Sequence, residues 1–561
     1  MNAAVLALCV FILFAVGYRY YAGFLARSLF ALRDDEPVPS RQFADGVDYV
    51  PTRKDVLWGH HFTSIAGAAP IVGPAIAVIW GWLPALLWVA LGTVMMGAVH
   101  DFSALVISLR NRGRSIGEIA GHVVTPRVRT LFLLIVTFLI WIVLAVFAFI
   151  IGTLFTQYPG AIFPINVQIV VAIGLGWLVY RRGVSILAPS LVAYALLLGS
   201  VFLGNDFAEA VPVVKQISVT GWVWILLIYS FVASVLPVWL LLQPRDYLNA
   251  HQLVTGLTLL TGGLLVLQPA IVAPAINPNP EGAPPMIPFL FITIACGAIS
   301  GFHGLVSSGT TSKQVGCASD ARAIGYGGML GEGSLGMLAV LASTAGFVSF
   351  ADWSEHYASW GAANGLGAKL SAFVDGGARF VASLGVPVET AATFIAVMVI
   401  AFAATSLDTG ARIQRLVISE LAEAYGWRPL TNRYAAGGVG IAAALLLAVT
   451  QAGGKGGLIL WPLFGTTNQL VAGVTLLVVS VWLKRQGKPV VYTLVPMLLV
   501  GLATVVAMTG EVVSYYQAFS ERWLLAISGS IILICDVWVL LEGLKVLLSA
   551  GPEDRAAAQP A

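Results

Sequence analysis

Runs of about 20 apolar residues recur along almost the whole chain, and few charges interrupt them. Such a run is long enough for an α-helix to cross the hydrocarbon core of a membrane. Only 10% of the 561 residues are charged, against about 25% in a typical soluble domain. The short alternating segments of a membrane β-barrel are absent from the sequence. We therefore predict an all-α polytopic membrane protein.

We predict about fifteen transmembrane helices and orient them by their basic flanks. Lys and Arg concentrate on alternate connections, beginning with 19–54 and 110–129, and these connections are expected to be cytoplasmic. The N-terminus is then outside and the C-terminus inside. The predicted spans are residues 2–20, 58–80, 82–109, 130–157, 162–180, 184–203, 220–242, 252–273, 288–312, 326–349, 390–407, 434–452, 457–483, 490–509 and 523–549.

The second span, HHFTSIAGAAPIVGPAIAVIW, is expected to break near its middle. Pro70 and Pro74 each remove a backbone donor, and Gly67 and Gly73 tolerate non-helical dihedral angles. Freed N–H and C=O groups cannot face lipid, so they must line a cavity or bind a solute. A proline kink satisfied by neighbouring helices is the alternative.

The seventh span contains a second interruption, at Pro237 in the stretch YSFVASVLPVWLLLQPRDY. It lies five spans after the first and therefore starts on the opposite side of the membrane. Two inverted five-helix repeats, each beginning with a discontinuous helix, are typical of secondary transporters, whose binding site lies between the repeats. Half-helix N-termini there suit an anion, and free carbonyls suit a cation.

This topology predicts how the chain is organised. Part of the external loop is expected to lie on the membrane as an amphipathic helix, and the C-terminal tail is expected to be disordered. The predicted units are 1–57 (first transmembrane helix and cytoplasmic loop), 58–203 (first repeat), 204–407 (second repeat, with the external loop 350–389), 408–549 (peripheral C-terminal helices) and 550–561 (tail).

Hydroxyl side chains cluster in the ninth span, in the stretch ISGFHGLVSSGTTSKQ. Their oxygens, beside unwound carbonyls of the second span, are candidate ligands for Na⁺. The alternative is that they bond the carbonyl four residues earlier or join two helices. The four hydroxyl residues are Ser307, Ser308, Thr310 and Thr311.

Ionisable residues inside spans are costly, and here they crowd toward the cytoplasmic half. Histidine titrates near neutral pH, so His61 is a candidate for carrying a coupling proton, as is Asp101. His303 lies deepest and is the histidine expected nearest the solute. Structural readings stay open, with His60 and His61 as an interfacial pair and His100 bonded to its neighbour. The whole set is His60, His61, His100, Asp101, His303, Lys313, Glu332 and Asp408.

A metal site is a weaker alternative, with His60, His61, His100 and His303 as the candidate ligands. Adjacent helical positions diverge by about 100°, so His60 and His61 do not easily share one ion. No HExxH motif occurs, and the four cysteines show no paired spacing. We expect no cofactor and no firm metal site. The lack of a nucleophile–base motif argues against an enzyme.

Several long stretches together resemble the carbon starvation protein A family. They are ADGVDYVPTRKDVLWGHHFTSIAGAAPIVGPAIA, GAVHDFSALVISLRNRGRSIGEIA, FHGLVSSGTTSKQ, AFAATSLDTGARIQRLVISE and WPLFGTTNQL. That family is similar to the amino acid–polyamine–organocation superfamily, which implies a LeuT-like core. The resemblance also implies a bacterial inner-membrane carrier linked to uptake of pyruvate, and of peptides during carbon starvation.

For this chain the resemblance implies residues that flank the solute and residues that serve ion coupling. It places the hydroxyls Ser307 to Thr311 where LeuT-like carriers hold sodium, with Lys313 able to replace that ion's charge. The solute-flanking residues implied are Gly67, Ala68, Pro70 and Gly73 in the second span and Ser234 and Pro237 in the seventh.

We expect a symporter that imports a small carboxylate, pyruvate first, coupled to protons. Short peptides or amino acids are the alternative solutes, and sodium is the alternative ion. A histidine- or metal-dependent membrane enzyme, or a receptor, is the alternative class. Expected partners are the solute and membrane lipid, with no nucleic acid. A homo-oligomer and a small companion protein both stay open.

Overall fold

The computed structural model describes residues 1–549; the predicted disordered tail, 550–561, lies outside the described residues. The described part contains 24 α-helices and no β-strand. Ser115, Thr125 and Ser218 cap three of the helices by accepting hydrogen bonds from first-turn N–H groups. The first twelve are α1 (Ala3–Val16), α2 (Pro39–Gln42), α3 (Lys54–Ile65), α4 (Ala69–Ala77), α5 (Trp82–Gly92), α6 (Ala98–Arg110), α7 (Ile116–Val123), α8 (Pro126–Gln157), α9 (Ile162–Arg182), α10 (Leu187–Ala210), α11 (Val213–Gln216) and α12 (Val219–Val235).

The second half of the chain continues the helical pattern. Two of its helices, α17 and α18, are short and lie in the connection predicted to be external. The twelve are α13 (Leu242–Leu267), α14 (Met286–Thr293), α15 (Gly301–Gly309), α16 (Gly327–Ala345), α17 (Phe350–His356), α18 (Trp360–Ala363), α19 (Leu366–Ala382), α20 (Val388–Tyr425), α21 (Arg433–Val449), α22 (Gly456–Arg485), α23 (Val491–Gln517) and α24 (Phe519–Ser549).

Ten helical segments within residues 1–549 are long and apolar enough to cross a membrane, or 12 if each of two bent pairs counts as one span. Three further predicted spans lack this length: α12 and α21 are shorter apolar helices, and the predicted span 288–312 is divided into α14 and α15. The prediction of a multi-span, all-helical membrane protein is therefore confirmed.

The interruption predicted in the second span is present. Helix α3 ends at Ile65, α4 begins at Ala69, and the two axes bend by 46°. Pro70 occupies the first turn of α4, where its missing N–H costs nothing, and Pro74 lies inside the same helix. Local sequence chemistry therefore accounts for this break.

The second interruption does not lie at Pro237. That residue falls in the connection 236–241 between α12 and α13, and its neighbour Val238 donates its N–H to the Val47 carbonyl, 3.0 Å away, in the segment before α3. The helix that breaks is the ninth predicted span, because α14 ends at Thr293 and α15 begins only at Gly301.

Helix α22 supplies the hydrogen bonds that hold this second break open. The Asn468 side chain accepts from the Phe302 N–H at 2.9 Å, and Gln469 donates to the Ile299 carbonyl at 3.1 Å. The most apolar window of the segment Ala452–Arg485 is wholly buried inside the protein. Helix α22 is therefore an interior helix, in contrast to the expectation that residues 408–549 are peripheral.

The connection 350–389, predicted to be external, contains a helix, α19, whose main contacts are with other helices of the protein. It packs against α4, α13, α16 and α20. Its residues Leu370, Phe373 and Phe380 are buried. The apolar face that indicated membrane contact is instead used for packing inside the protein.

Candidate transport site

A cavity of about 440 Å³ opens beside the two interrupted helices. Gly73 of α4 and Cys296, in the break between α14 and α15, form part of its wall. Helix α18 contributes Trp360, α19 contributes Lys369 and α23 contributes Glu511. We call this space the vestibule. Because both broken helices border it, a solute in the vestibule meets the irregular backbone that the sequence predicts at the binding site.

Four ionisable side chains form a buried chain next to the vestibule, and we call them the acid–histidine cluster: His100, Asp101, His303 and Glu332. The Asp101 carboxylate lies 2.8 Å from His100 Nδ1 and 3.0 Å from His303 Nδ1. The other ring nitrogen of His303, Nε2, lies 3.0 Å from Glu332 Oε2. All four side chains are fully buried.

Charge balance in this cluster depends on where its protons are. The two carboxylates and two imidazoles are shielded from water, and His303 stands between the two acids. The Glu332 oxygens form no hydrogen bond of good geometry within the described residues. A proton on His303 or on Glu332 offsets the negative charge, so the arrangement is suited to taking up and releasing one.

Cys296 connects the vestibule to the cluster. It lines the vestibule, and its Sγ, a His303 ring nitrogen and a Glu332 oxygen all lie within 4.8 Å of one another. Thiol, imidazole and carboxylate are ligands that Zn²⁺ accepts. Of the four histidines considered as metal ligands, only His303 belongs to this group.

The remaining histidines have other partners. His60 Nδ1 lies 2.6 Å from Asp246 Oδ2, and His61 Nδ1 lies 3.0 Å from Thr311 Oγ1. The two adjacent histidines therefore point to different neighbours, as the helical spacing predicts.

The predicted sodium ligands bond mainly within their own segment. Ser308 donates to the Gly304 carbonyl at 2.7 Å and Thr310 donates to the Val306 carbonyl at 3.1 Å. The Ser307 hydroxyl is buried and has no partner within the described residues. Lys313 is buried, with its ammonium 5.5 Å from the Tyr49 ring centre. Ser307 and Ser308 thus lie in α15 and Thr310 and Thr311 directly follow it, and two of the four hydroxyls bond carbonyls of that helix.

Of the residues expected to flank the solute, Gly73 lines the vestibule. A Cβ added at Gly67 would lie 2.7 Å from the Ser406 hydroxyl, so that residue faces α20. Ala68 and Pro70 are buried at the start of α4. Ser234 donates to the Phe231 carbonyl in its own helix at 2.8 Å.

A second buried charge network, which the sequence analysis missed, joins α3, α12, α13 and α20. Arg245 pairs with Asp246 at 2.8 Å and also with Asp408. Ser230 donates to the Asp408 carboxylate at 2.8 Å. Together with the His60–Asp246 contact, these bonds link four helices, α3, α12, α13 and α20, around buried charges that compensate one another.

Residues 43–53 cross the face predicted to be cytoplasmic, and we call them the inner strap. Val50 and Thr52 donate backbone N–H groups to the carbonyls of Lys313 and Gln314, at 3.2 and 3.0 Å. Asp48 pairs with Arg412 and, at 2.8 Å, with Arg415. Burial raises the pKa of the Asp48 carboxyl, but the charges of Arg412 and Arg415 outweigh it and hold that pKa well below its usual range. The strap is therefore anchored by an ionised carboxylate.

Comparison with known proteins identifies the family. The family model described as carbon starvation protein CstA matches residues 2–349 and 347–507. The chain belongs to this family. The peptide transporter CstA of Mycobacterium tuberculosis is 34% identical over 552 residues, covering 87% of this chain and 72% of the relative. The peptide transporter CstA of Escherichia coli is 33% identical over 549 residues, covering 87% and 78%.

Another relative of this CstA-family chain has a different named solute. The pyruvate/proton symporter BtsT of Escherichia coli is 38% identical over 342 residues, which cover 59% of this chain and 47% of the relative. Among solved structures, a mutant of the Eremococcus coleocola manganese transporter superposes with a TM-score of 0.51 at 12% identity, covering 90% of this chain and 99% of that one. This CstA-family chain therefore has the fold of a membrane transporter.

Proposed function

We propose that the protein is a proton-coupled symporter that imports a small carboxylate, with pyruvate as the leading solute. The observation that carries this proposal is the position of Cys296, which lines the vestibule and whose Sγ lies within 4.8 Å of His303 and Glu332 in the acid–histidine cluster. A solute in the vestibule and a proton on His303 are separated by little more than this side chain. Binding of one can therefore change the free energy of binding the other.

The acid–histidine cluster is the reason for proposing the proton, rather than sodium, as the coupling ion. Asp101, His303 and Glu332 form a line of groups that exchange protons, and all are shielded from water. Two of the hydroxyls proposed for sodium instead donate to backbone carbonyls of α15. The name of the relative BtsT, a pyruvate/proton symporter, supports the same ion and solute.

The carboxylate fits the first turn of α4, which begins at the break and borders the vestibule through Ala69 and Val72. The positive end of the helix dipole favours an anion there. Short peptides are the second candidate solute, because the relatives named peptide transporters cover most of this chain. A cavity of about 440 Å³ lies in the usual range for small-molecule sites.

We also propose the finer membrane arrangement. The protein lies in the bacterial inner membrane with its N-terminus outside, and it works as a carrier rather than an enzyme. The units 58–203 and 204–407 are proposed as inverted repeats around a LeuT-like core. The broken helices α3–α4 and α14–α15 support a discontinuous core.

The test is uptake of labelled pyruvate and of a dipeptide into proteoliposomes under an imposed proton gradient or sodium gradient. We expect pyruvate to accumulate when the proton gradient points inward. Accumulation driven by sodium alone would reject proton coupling, and no gradient-driven uptake of either solute would reject the symporter.

A further inference from the structure

Lys369 is a buried cation without a protein counter-ion among the described residues. Its side chain, in the first turn of α19, is 7% exposed and lines the vestibule. No described carboxylate lies within ion-pair distance of its ammonium, and burial alone lowers its pKa to about 8. A buried ammonium is costly unless an anion accompanies it. An anion that enters the vestibule would supply that missing partner.

Glu511 is the complementary case on α23. It also lines the vestibule, and its Oε2 accepts a hydrogen bond from the Thr466 hydroxyl at 3.1 Å. No Lys or Arg of the described residues forms an ion pair with it, since none places a nitrogen within 4.0 Å of its carboxylate. Its carboxylate is thus free to accept a hydrogen bond from a positively charged group.

The side chains of Lys369 and Glu511 reach the vestibule from two helices that pack against different neighbours. Helix α19 packs against α4, α13, α16 and α20, whereas α23 packs against α14, α22 and α24. Lys369 and Glu511 do not pair with each other, so more than 4.0 Å separates their charged atoms. Trp360, Trp461 and Phe464 contribute aromatic surface to the same wall. One cavity therefore presents the buried ammonium of Lys369, the unpaired carboxyl group of Glu511 and apolar surface, and the exposed Arg522 also borders it.

We propose that Lys369 binds the carboxylate of the solute and that Glu511 binds its amino group, so these two residues determine which solutes are accepted. Lys369 serves any carboxylate, whereas Glu511 favours solutes that also carry an ammonium. The site is thus complementary to a zwitterion such as a short peptide, and a monocarboxylate uses only half of it. This inference rests on the proposed function in taking the vestibule as the solute's binding site.

The experiment measures binding without transport. Isothermal titration calorimetry of the purified full chain in detergent uses dialanine and pyruvate as probes, with the variants K369M, K369R and E511Q. Methionine keeps the length and apolar stem of Lys369, and arginine keeps its charge. K455Q and E521Q remove an exposed charge of each sign and serve as controls. Thermal unfolding of each variant verifies that it is folded.

We expect K369M to weaken binding of both probes at least tenfold and K369R to restore most of it. We expect the ratio of dialanine to pyruvate affinity to fall at least tenfold in E511Q, with both controls like the wild type. Wild-type affinity in K369M and E511Q, or a folded wild type that binds neither probe, would overturn the inference. Binding as expected without gradient-driven uptake would overturn the proposed function alone.

Discussion

The Nδ1 atom of His303 lies 3.0 Å from Oδ2 of Asp101, and this contact joins α15 to α6 in the buried interior. The other carboxylate oxygen of Asp101 forms a hydrogen bond with His100 Nδ1, so each of its two oxygens is bonded to a histidine. His303 is then oriented with its second nitrogen toward Glu332. An aspartate that holds a histidine in this way fixes the ring position from which a proton is exchanged.

The first prediction concerns this contact. D101N keeps the shape of the side chain but removes the charge that stabilises a protonated His303. We expect proton-driven uptake to fall at least tenfold, whereas exchange of labelled for unlabelled solute without a gradient persists. Proteoliposome uptake and counterflow measure the two activities. H122Q, in an exposed histidine of α7, is the control; undiminished accumulation by D101N would remove Asp101 from the coupling mechanism.

The second prediction concerns the inner strap. In D48N the pairing with Arg412 and Arg415 weakens, so the strap is expected to detach and expose the connection 236–241. To measure this exposure, the four native cysteines are removed and a cysteine is placed at buried Val238. We expect a thiol reagent to label that cysteine at least threefold faster in D48N than in the protein that keeps Asp48. D35N, in an exposed ion pair with Arg33, is the matched control. Equal labelling rates in D48N and wild type would contradict the assigned role.

The strap also has a predicted pH dependence. Because the folded-state pKa of Asp48 is depressed below its unfolded value, the stabilisation is fully present above about pH 4 and is lost as the pH falls through the folded pKa. Labelling at position 238 should therefore stay slow from pH 7 to about pH 5. A rise within that interval would indicate that another group anchors the strap.

The third prediction concerns Lys369 and pH. Burial lowers its pKa to about 8, so its charge is present at neutral pH and lost above that value. Pyruvate affinity, measured calorimetrically, should fall by up to about tenfold per pH unit above pH 8. The other titratable groups lining the vestibule are Cys296, Glu511, Tyr515 and Arg522. K369R should be insensitive over the same interval, and a matching decline in K369R would assign the effect to one of those groups.

The fourth prediction concerns the contact between the two broken helices. A Cβ at Gly73 would lie 2.3 Å from the Thr293 carbonyl oxygen, so α4 and α14 can approach this closely only with glycine there. We expect G73A to reduce stability by about 1–3 kcal/mol, as other overpacked sites do, and to lower the unfolding temperature in detergent. G174A is the control, since nothing lies within 4 Å of its added Cβ. Equal unfolding temperatures would show that the contact relaxes without cost.

Local chemistry explains which features the sequence predicts. Pro70 identifies the first interruption, because proline marks helix starts and ends on its own. The second interruption has no proline and depends on Asn468 and Gln469, the latter 170 residues away from the carbonyl it bonds. Pro237, which drew the prediction to the wrong span, follows the end of α12 at Val235.

The residues of the site also divide into those that the sequence predicts and those that only tertiary packing brings there. The sequence predicts Asp101 and His303 as functional residues because ionisable groups are rare in apolar spans. Lys369 belongs to a segment that reads as an external surface helix, and only tertiary packing buries it in the vestibule. Arg245 reads as a boundary charge, and its partner Asp408 is 163 residues away. Pairing over such separations leaves no trace in a single sequence.

The placement of Lys369 on α19 separates the residue proposed to recognise the solute from the residues proposed to transfer protons. The segment between α16 and α20 carries the residue proposed to bind the solute, whereas α6, α15 and α16 carry the groups proposed to move protons. Substitutions or insertions in the connection between α16 and α20 are then expected to alter the nutrient preference of related carriers, while the groups proposed to drive accumulation stay the same.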